Sequence, residues 1–158
     1  NLMLENPSIG RIPVEAAFQG SKVFESGGPY REFYRMSGRD IRRDDRLRNS
    51  GRLLGFDFAG VLWQLEPKTA FYDWLYLTAL AQNPDLSSQI ANFDGFSDIE
   101  FNPEKSINCQ ARAAALYVSL RQRGLLEKVM LDKASYFQVV AANPDPIQKP
   151  PLRQSSLF

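Results

Sequence analysis

Leu54-Gly-Phe-Asp-Phe58, Ala59-Gly60, Val61-Leu-Trp-Gln-Leu65, then Glu66-Pro-Lys-Thr-Ala-Phe-Tyr-Asp-Trp-Leu-Tyr-Leu-Thr-Ala-Leu-Ala-Gln82, is the stretch that decides the fold class. Large apolar residues alternate on both sides of a Gly-containing turn, the pattern of a β-hairpin. After Glu66-Pro67-Lys68 the period changes. Phe71, Trp74, Leu75, Thr78 and Ala79 recur at helical spacing and predict a long helix to about Gln82. In a chain of 158 residues this predicts one α+β domain, mainly helical, with a small sheet.

Upstream, residues 1–12 read as loop and short strand, broken at Asn6-Pro7 and Gly10. Pro13 suits the first position of a helix over Val14–Glu25, which Gly27-Gly28-Pro29 ends. Two short helices are expected near 29–36 and 39–48, stopping at Gly51. Downstream, Asn83-Pro84 ends the long helix and Pro84 opens another to about Asn92. Phe96–Phe101 is a strand candidate. Ile107–Arg123 is an alanine-rich helix stopped by Gly124, and short helices follow at 125–130 and 132–141. The domain is thus expected over 1–142. Pro144, Pro146, Pro150 and Pro151 mark 143–158 as a disordered and dispensable tail. The opening Asn1-Leu-Met-Leu4 reads as cut from a longer chain, so a first strand of the fold is expected outside it.

The chain has no histidine. Ser-His-Asp and Cys-His nucleophile systems, HExxH zinc sites and His-based zinc deaminase chemistry are therefore excluded. An enzyme of this composition works with carboxylates, lysine, arginine, tyrosine, amides and backbone. No calcium-type acidic loop occurs either, so no metal and no cofactor is expected. One cysteine, Cys109, suits the cytosol and reads as a core residue. No apolar run approaches the roughly 20 residues that span a bilayer, and a cytoplasmic, membrane-free protein is expected. The net charge of +1 is unevenly placed. Residues 31–52 hold eight arginines against four acids, a local +4 that leaves −3 for the rest. Arg42 and Arg43 in this segment are candidate nucleic-acid contacts. The plainer alternative is a solvated helix with pairs such as Arg39/Asp40 and Arg42/Asp45.

Two constellations can carry chemistry. Glu15, Gln19 and Lys22 fall at i, i+4 and i+7 and share one face if the helix runs through them, with about 10 Å of rise from first to last. Ala16, Ala17 and Gly20 keep the neighbouring positions small enough for a ligand or backbone to approach. The second is Asp98-Ile-Glu-Phe-Asn-Pro-Glu-Lys-Ser-Ile-Asn-Cys-Gln-Ala111. Asp98, Glu100 and Asn102 alternate on one strand face, and Asn108 and Gln110 open a helix. The competing readings are an exposed polar face for the first, and an N-cap at Ser106 with a turn at Asn102-Pro103 for the second. Among the aromatics, Trp63 at the hairpin edge is the best candidate to stack a base.

Glu15-Ala-Ala-Phe-Gln19-Gly-Ser-Lys22-Val-Phe24, Trp63 followed by a helix ending in Gln82-Asn-Pro-Asp-Leu86, and the Asp98–Ala111 block resemble the NADAR family over roughly residues 1–130. The third block resembles the subgroup associated with DarT-type DNA ADP-ribosyltransferase toxins. Ala16 stands where many members have histidine, and Asn102-Pro103 falls near the Trp-Gly pair of YbiA-like members. The resemblance implies an N-glycosidase that removes ADP-ribose from guanine in DNA, an antitoxin to a DarT-type toxin. It implies ADP-ribosylated DNA as substrate, with that toxin as a possible partner. Glu15 is then the expected general acid/base, and Lys22 the nucleophile or electrostatic clamp. Asn1, Gln19, Trp63, Asp98, Glu100, Asn102 and Asn108 are the expected substrate contacts. Rival readings are a YbiA-like enzyme acting on riboflavin-pathway intermediates, a non-catalytic nucleotide or nucleic-acid binding module, and an antitoxin that works by contact alone.

Overall fold

The computed structural model describes residues 2–67, 69–93, 95–96 and 110–141. Strands β1 (Met3–Asn6) and β2 (Gly10–Pro13) form an antiparallel hairpin. The Asn6 side chain accepts from the Ser8 and Ile9 amides at 2.9 and 3.2 Å, a local bond that makes asparagine a turn former. The next helix, α1 (Val14–Gly20), packs against a 3-10 helix at Arg31–Arg35 and against α2 (Gly38–Arg43). Strand β3 (Lys22–Phe24) joins β4 (Leu53–Phe58) and β5 (Val61–Trp63) in an antiparallel sheet of order β3-β4-β5. Ala59 and Gly60 turn β4 into β5 with φ of 52° and 82°, the left-handed pair that a two-residue hairpin turn requires. Gly55 is fixed by close approach, because a Cβ there would lie 2.7 Å from the Trp63 carbonyl oxygen. A short helix, α3 (Arg46–Asn49), precedes β4. The remaining helices are α4 (Ala70–Ala81), α5 (Pro84–Ile90), α6 (Gln110–Gln122), α7 (Leu126–Leu131) and α8 (Lys133–Ala141). The α+β expectation, mainly helical with small sheets, is met.

Helix α4 is the centre of the molecule. It packs against α1, α5, α6 and β1, and its buried residues lie all round the helix. Phe71 stacks with Phe56 at 4.7 Å, Trp63 at 5.4 Å, and Phe18 and Phe58 at 6.1 Å. Phe71→Ala is expected to cost about 3–5 kcal/mol of unfolding free energy, read from denaturant titration. A loss below about 1 kcal/mol would mean the cluster collapses onto the vacancy.

Two polar ties hold the helices in place. Gln82 Nε2 donates to the Glu5 carbonyl at 2.9 Å, and its Oε1 accepts from the Glu5 amide at 2.7 Å. Asn83 Nδ2 donates to the Met3 carbonyl at 3.1 Å and to Ala79 at 2.6 Å. The Gln-Asn-Pro block thus ends α4 and fastens it to β1. On the other side, Arg112 of α6 donates to buried Asp73 and to Thr69 Oγ1, joining α6 to α4.

One boundary differs from the expectation. Helix α1 ends at Gly20 rather than Glu25. The Tyr34 ring fills the space beside Gly20, where a Cβ would meet it at 2.6 Å, and Lys22, Val23 and Phe24 pair with β4. Strand pairing therefore overrides the helical spacing of Glu15, Gln19 and Lys22. Phe96 is described, but the rest of the 96–101 strand candidate, the start of the Ile107 helix, and the proline-rich tail lie outside the described residues.

Candidate active site

Glu15 sits in the first turn of α1, where the positive end of the helix dipole favours a carboxylate. It accepts from Gln19 Nε2 at 2.7 Å, one turn along the same face. Lys22 reaches the same neighbourhood from β3, not from the helix. Its Nζ lies 5.1 Å from the Phe18 ring centroid. Burial pushes the Lys22 ammonium below the ordinary lysine range, and the Glu15 charge opposes this in part. Of the acid, amide and amine expected on one helix stripe, Glu15 and Gln19 share it and are hydrogen-bonded, whereas Lys22 lies on the strand that follows and does not line the adjoining cleft.

Glu15 also lines a cleft of about 540 Å3. Val14, Tyr72, Tyr76 and Leu86 form apolar wall, and Gln110 closes one side. Tyr72 and Tyr76 are one turn apart on α4, with rings 6.1 Å apart. Burial raises the Tyr72 phenol well above its ordinary value, and the nearby Glu15 charge raises it further, so it stays neutral. Gln19 Oε1 is buried and has no hydrogen-bond partner among the described residues.

Arg39 and Arg42 of α2 line the same cleft, and Arg43 does not. The pairs expected from sequence do not form. Ser37 caps α2 by accepting from the Asp40 amide at 3.2 Å and donates its own hydroxyl to the Asp40 carboxylate at 2.6 Å. Asp45 pairs with Arg48 at 3.0 Å. Arg39 and Arg42 are left facing the cleft.

Trp63 requires correction. It is only 3% exposed, enclosed by Phe71, Trp74, Tyr136 and Phe137, with Lys133 Nζ 5.2 Å from its ring centroid. It is a core residue, with no open face for a base, because β5 turns it inward under α4 and α8. Gly20, expected to let a ligand or another backbone approach, accommodates the Tyr34 ring and the Tyr30 carbonyl, which a Cβ there would meet at 2.6 and 3.0 Å. Asn1, Asp98, Glu100, Asn102 and Asn108 lie outside the described residues. Sequence reasoning missed Arg39 and Tyr76 as cleft residues. The signals were the Arg39-x-x-Arg42 and Tyr72-x-x-x-Tyr76 spacings, each of which places two side chains on one helix face.

A family model for DarT1-associated NADAR antitoxins matches residues 1–149. The chain belongs to this family. No curated protein matches it. The match places this antitoxin in the group suggested by its three sequence blocks, and Glu15, Lys22 and the cleft all fall inside the matched span. Among the described residues, no helix of this NADAR antitoxin is long and apolar enough to cross a membrane.

Proposed function

We propose that this NADAR antitoxin is an N-glycosidase that removes ADP-ribose from guanine bases in DNA, reversing a DarT-type toxin. The observation that carries this reading is a cleft-lining carboxylate, Glu15, hydrogen-bonded to Gln19 in the first turns of α1, with the half-buried Lys22 on the strand that follows. The bond to be cut joins an exocyclic base nitrogen to the anomeric carbon of ribose. In the direct route Glu15 takes a proton from water, the water oxygen bonds to the anomeric carbon, and the C–N bond breaks with the proton passing to the leaving nitrogen. In the ring-opened route neutral Lys22 adds to the imine carbon and displaces the base amine, and water then hydrolyses the lysine imine. Both routes use groups present in this chain and require no metal. Gln19 positions the Glu15 carboxylate by donating to it, and Tyr72 presents a neutral phenol in the cleft lining.

The test is incubation with an oligonucleotide carrying ADP-ribose on guanine, with and without chelator. Free ADP-ribose and unmodified oligonucleotide are expected in both arms. Tight binding without release would reduce the chain to a binding module. Neutralisation of the toxin with no release would favour inhibition by contact.

The DNA strand itself needs a basic surface outside the cleft. Arg43 is exposed, and no carboxylate among the described residues lies within salt-bridge distance of it. Arg43→Glu is expected to weaken binding of DNA substrate and to lower the slope of log affinity against log salt by about 1–2. An unchanged slope would return Arg43 to the role of an ordinary solvated side chain.

A further inference from the structure

We infer that Arg39 and Arg42 form a clamp for the diphosphate of a nucleotide ligand, which sets the ligand's direction in the cleft. This rests on the reading of the cleft as an ADP-ribose site. Of the eight arginines in residues 31–52, five are committed elsewhere. Arg31 pairs with Asp57, Arg46 with Glu32 and Asp44, Arg48 with Asp45, and Arg52 with Glu25, while Arg35 donates to the Ile9 carbonyl. Arg39, Arg42 and Arg43 have no carboxylate within salt-bridge distance among the described residues. Two of these three line the cleft. They stand three positions apart on α2 and so project from one side of it.

The head group of Arg42, an exposed side chain, lies beside the cleft lining. Its Nη1 lies 3.8 Å from the point where a Gly38 side chain would begin, and Gly38 is itself part of the lining. Among the described residues no neighbouring acid pairs with either arginine: Asp40 accepts from the Ser37 hydroxyl, Asp44 pairs with Arg46 and Asp45 with Arg48. Two planar guanidinium forks, always charged, match two adjacent phosphates better than one. Glu15 in the same lining repels phosphate. The diphosphate therefore belongs at the α2 side, with the uncharged ribose directed toward Glu15. A cleft of about 540 Å3 is sized for a nucleotide-like group and is too small for a duplex. A DNA phosphodiester carries the same chemistry, but the geometry favours the nucleotide, and Arg42 is assigned to it rather than to the DNA strand.

The experiment measures binding of ADP-ribose, ADP, adenosine and an unmodified oligonucleotide by titration calorimetry. The proteins are wild type, Arg39→Gln/Arg42→Gln and Arg43→Gln. Wild type is expected to bind ADP-ribose and ADP at least about tenfold more tightly than adenosine, the equivalent of one charge-assisted hydrogen bond. The double variant should lose that difference and keep its affinity for the oligonucleotide. Arg43→Gln should bind ADP-ribose within about twofold of wild type, since it keeps both clamp residues. Wild-type affinity for ADP-ribose in the double variant would overturn the clamp. So would an equal loss in Arg43→Gln, or a loss confined to the oligonucleotide. The glycosidase reading is scored separately. Diphosphate binding that depends on the clamp, with no release of ADP-ribose from modified DNA, would sink the enzyme and leave the clamp standing. Normal turnover and KM in the double variant would do the reverse.

Discussion

Glu15→Gln is expected to lower release of ADP-ribose from modified DNA by about 10²–10⁴-fold, the range that a positioned acid–base group contributes. The substitution keeps the size of the side chain and an oxygen that can still accept from Gln19 Nε2, a bond of 2.7 Å in the native chain. Melting temperature should therefore change little, and the loss can be assigned to the charge. A second readout separates chemistry from positioning. The Glu15 charge raises the pKa of both Lys22 and Tyr72. Without it, Lys22 loses its proton at still lower pH, so residual activity that depends on the neutral amine should rise at lower pH than in the wild type. Full turnover in Glu15→Gln would leave Lys22 without its acid–base partner and defeat the mechanism.

Lys22 carries the second large effect. If it adds to carbon, Lys22→Ala and Lys22→Arg are both expected to be inactive, and borohydride should trap ADP-ribose covalently on the wild type alone. If its role is electrostatic, Lys22→Arg should retain most turnover and no adduct should form. The double variant Glu15→Gln/Lys22→Ala is expected to be little worse than the poorer single one, since groups acting on one step lose activity non-additively. Full activity in Lys22→Ala would leave Glu15 with water as the mechanism. Burial of this amine also has a stability signature. A lysine whose folded pKa lies below its unfolded value binds fewer protons folded than unfolded. Stability then rises with pH between the lowered folded value and the ordinary 10.5. Lys22→Met lacks that titration. Its stability advantage over wild type should narrow as pH rises through this window, by no more than about 1.4 kcal/mol per pH unit. A gap independent of pH would show that the amine keeps an ordinary pKa.

Much of this was legible in the sequence because it was local. The alternation around Ala59-Gly60 and the helical spacing after Pro67 are nearest-neighbour patterns, and both elements form as read. The Glu15–Gln19 pair was also legible, one helical turn apart and hydrogen-bonded, but the place of Lys22 was not. Helical periodicity accounts for Glu15 and Gln19. Lys22 arrives through pairing with Phe56, a partner 34 positions away that no local window contains. Trp63 shows the opposite failure. A hairpin edge is exposed on average, but two aromatic rings from α4 and two from α8 pack on Trp63, and it is buried with them. The free arginines were hidden by competition. Asp40 is adjacent to Arg39, yet the Ser37 cap takes its carboxylate first. Sequence proximity named the possible ion pairs but not which of them would win.

The amide ties from Gln82 and Asn83 to β1 have a consequence for how the cleft responds to heat and solvent. Leu2, Pro13 and Val14, which lie along or beside the first hairpin, form part of the cleft lining, and the Val14 amide donates to the Leu2 carbonyl at 3.0 Å. Because the hairpin is fastened to the end of the central helix, this rim cannot detach without breaking bonds that span nearly 80 positions of chain. Its amide protons should exchange with deuterium only when the whole domain opens, unlike those of a mobile lid. A nucleotide entering the cleft thus meets a wall that is already ordered, and little of its binding free energy is consumed in immobilising that side.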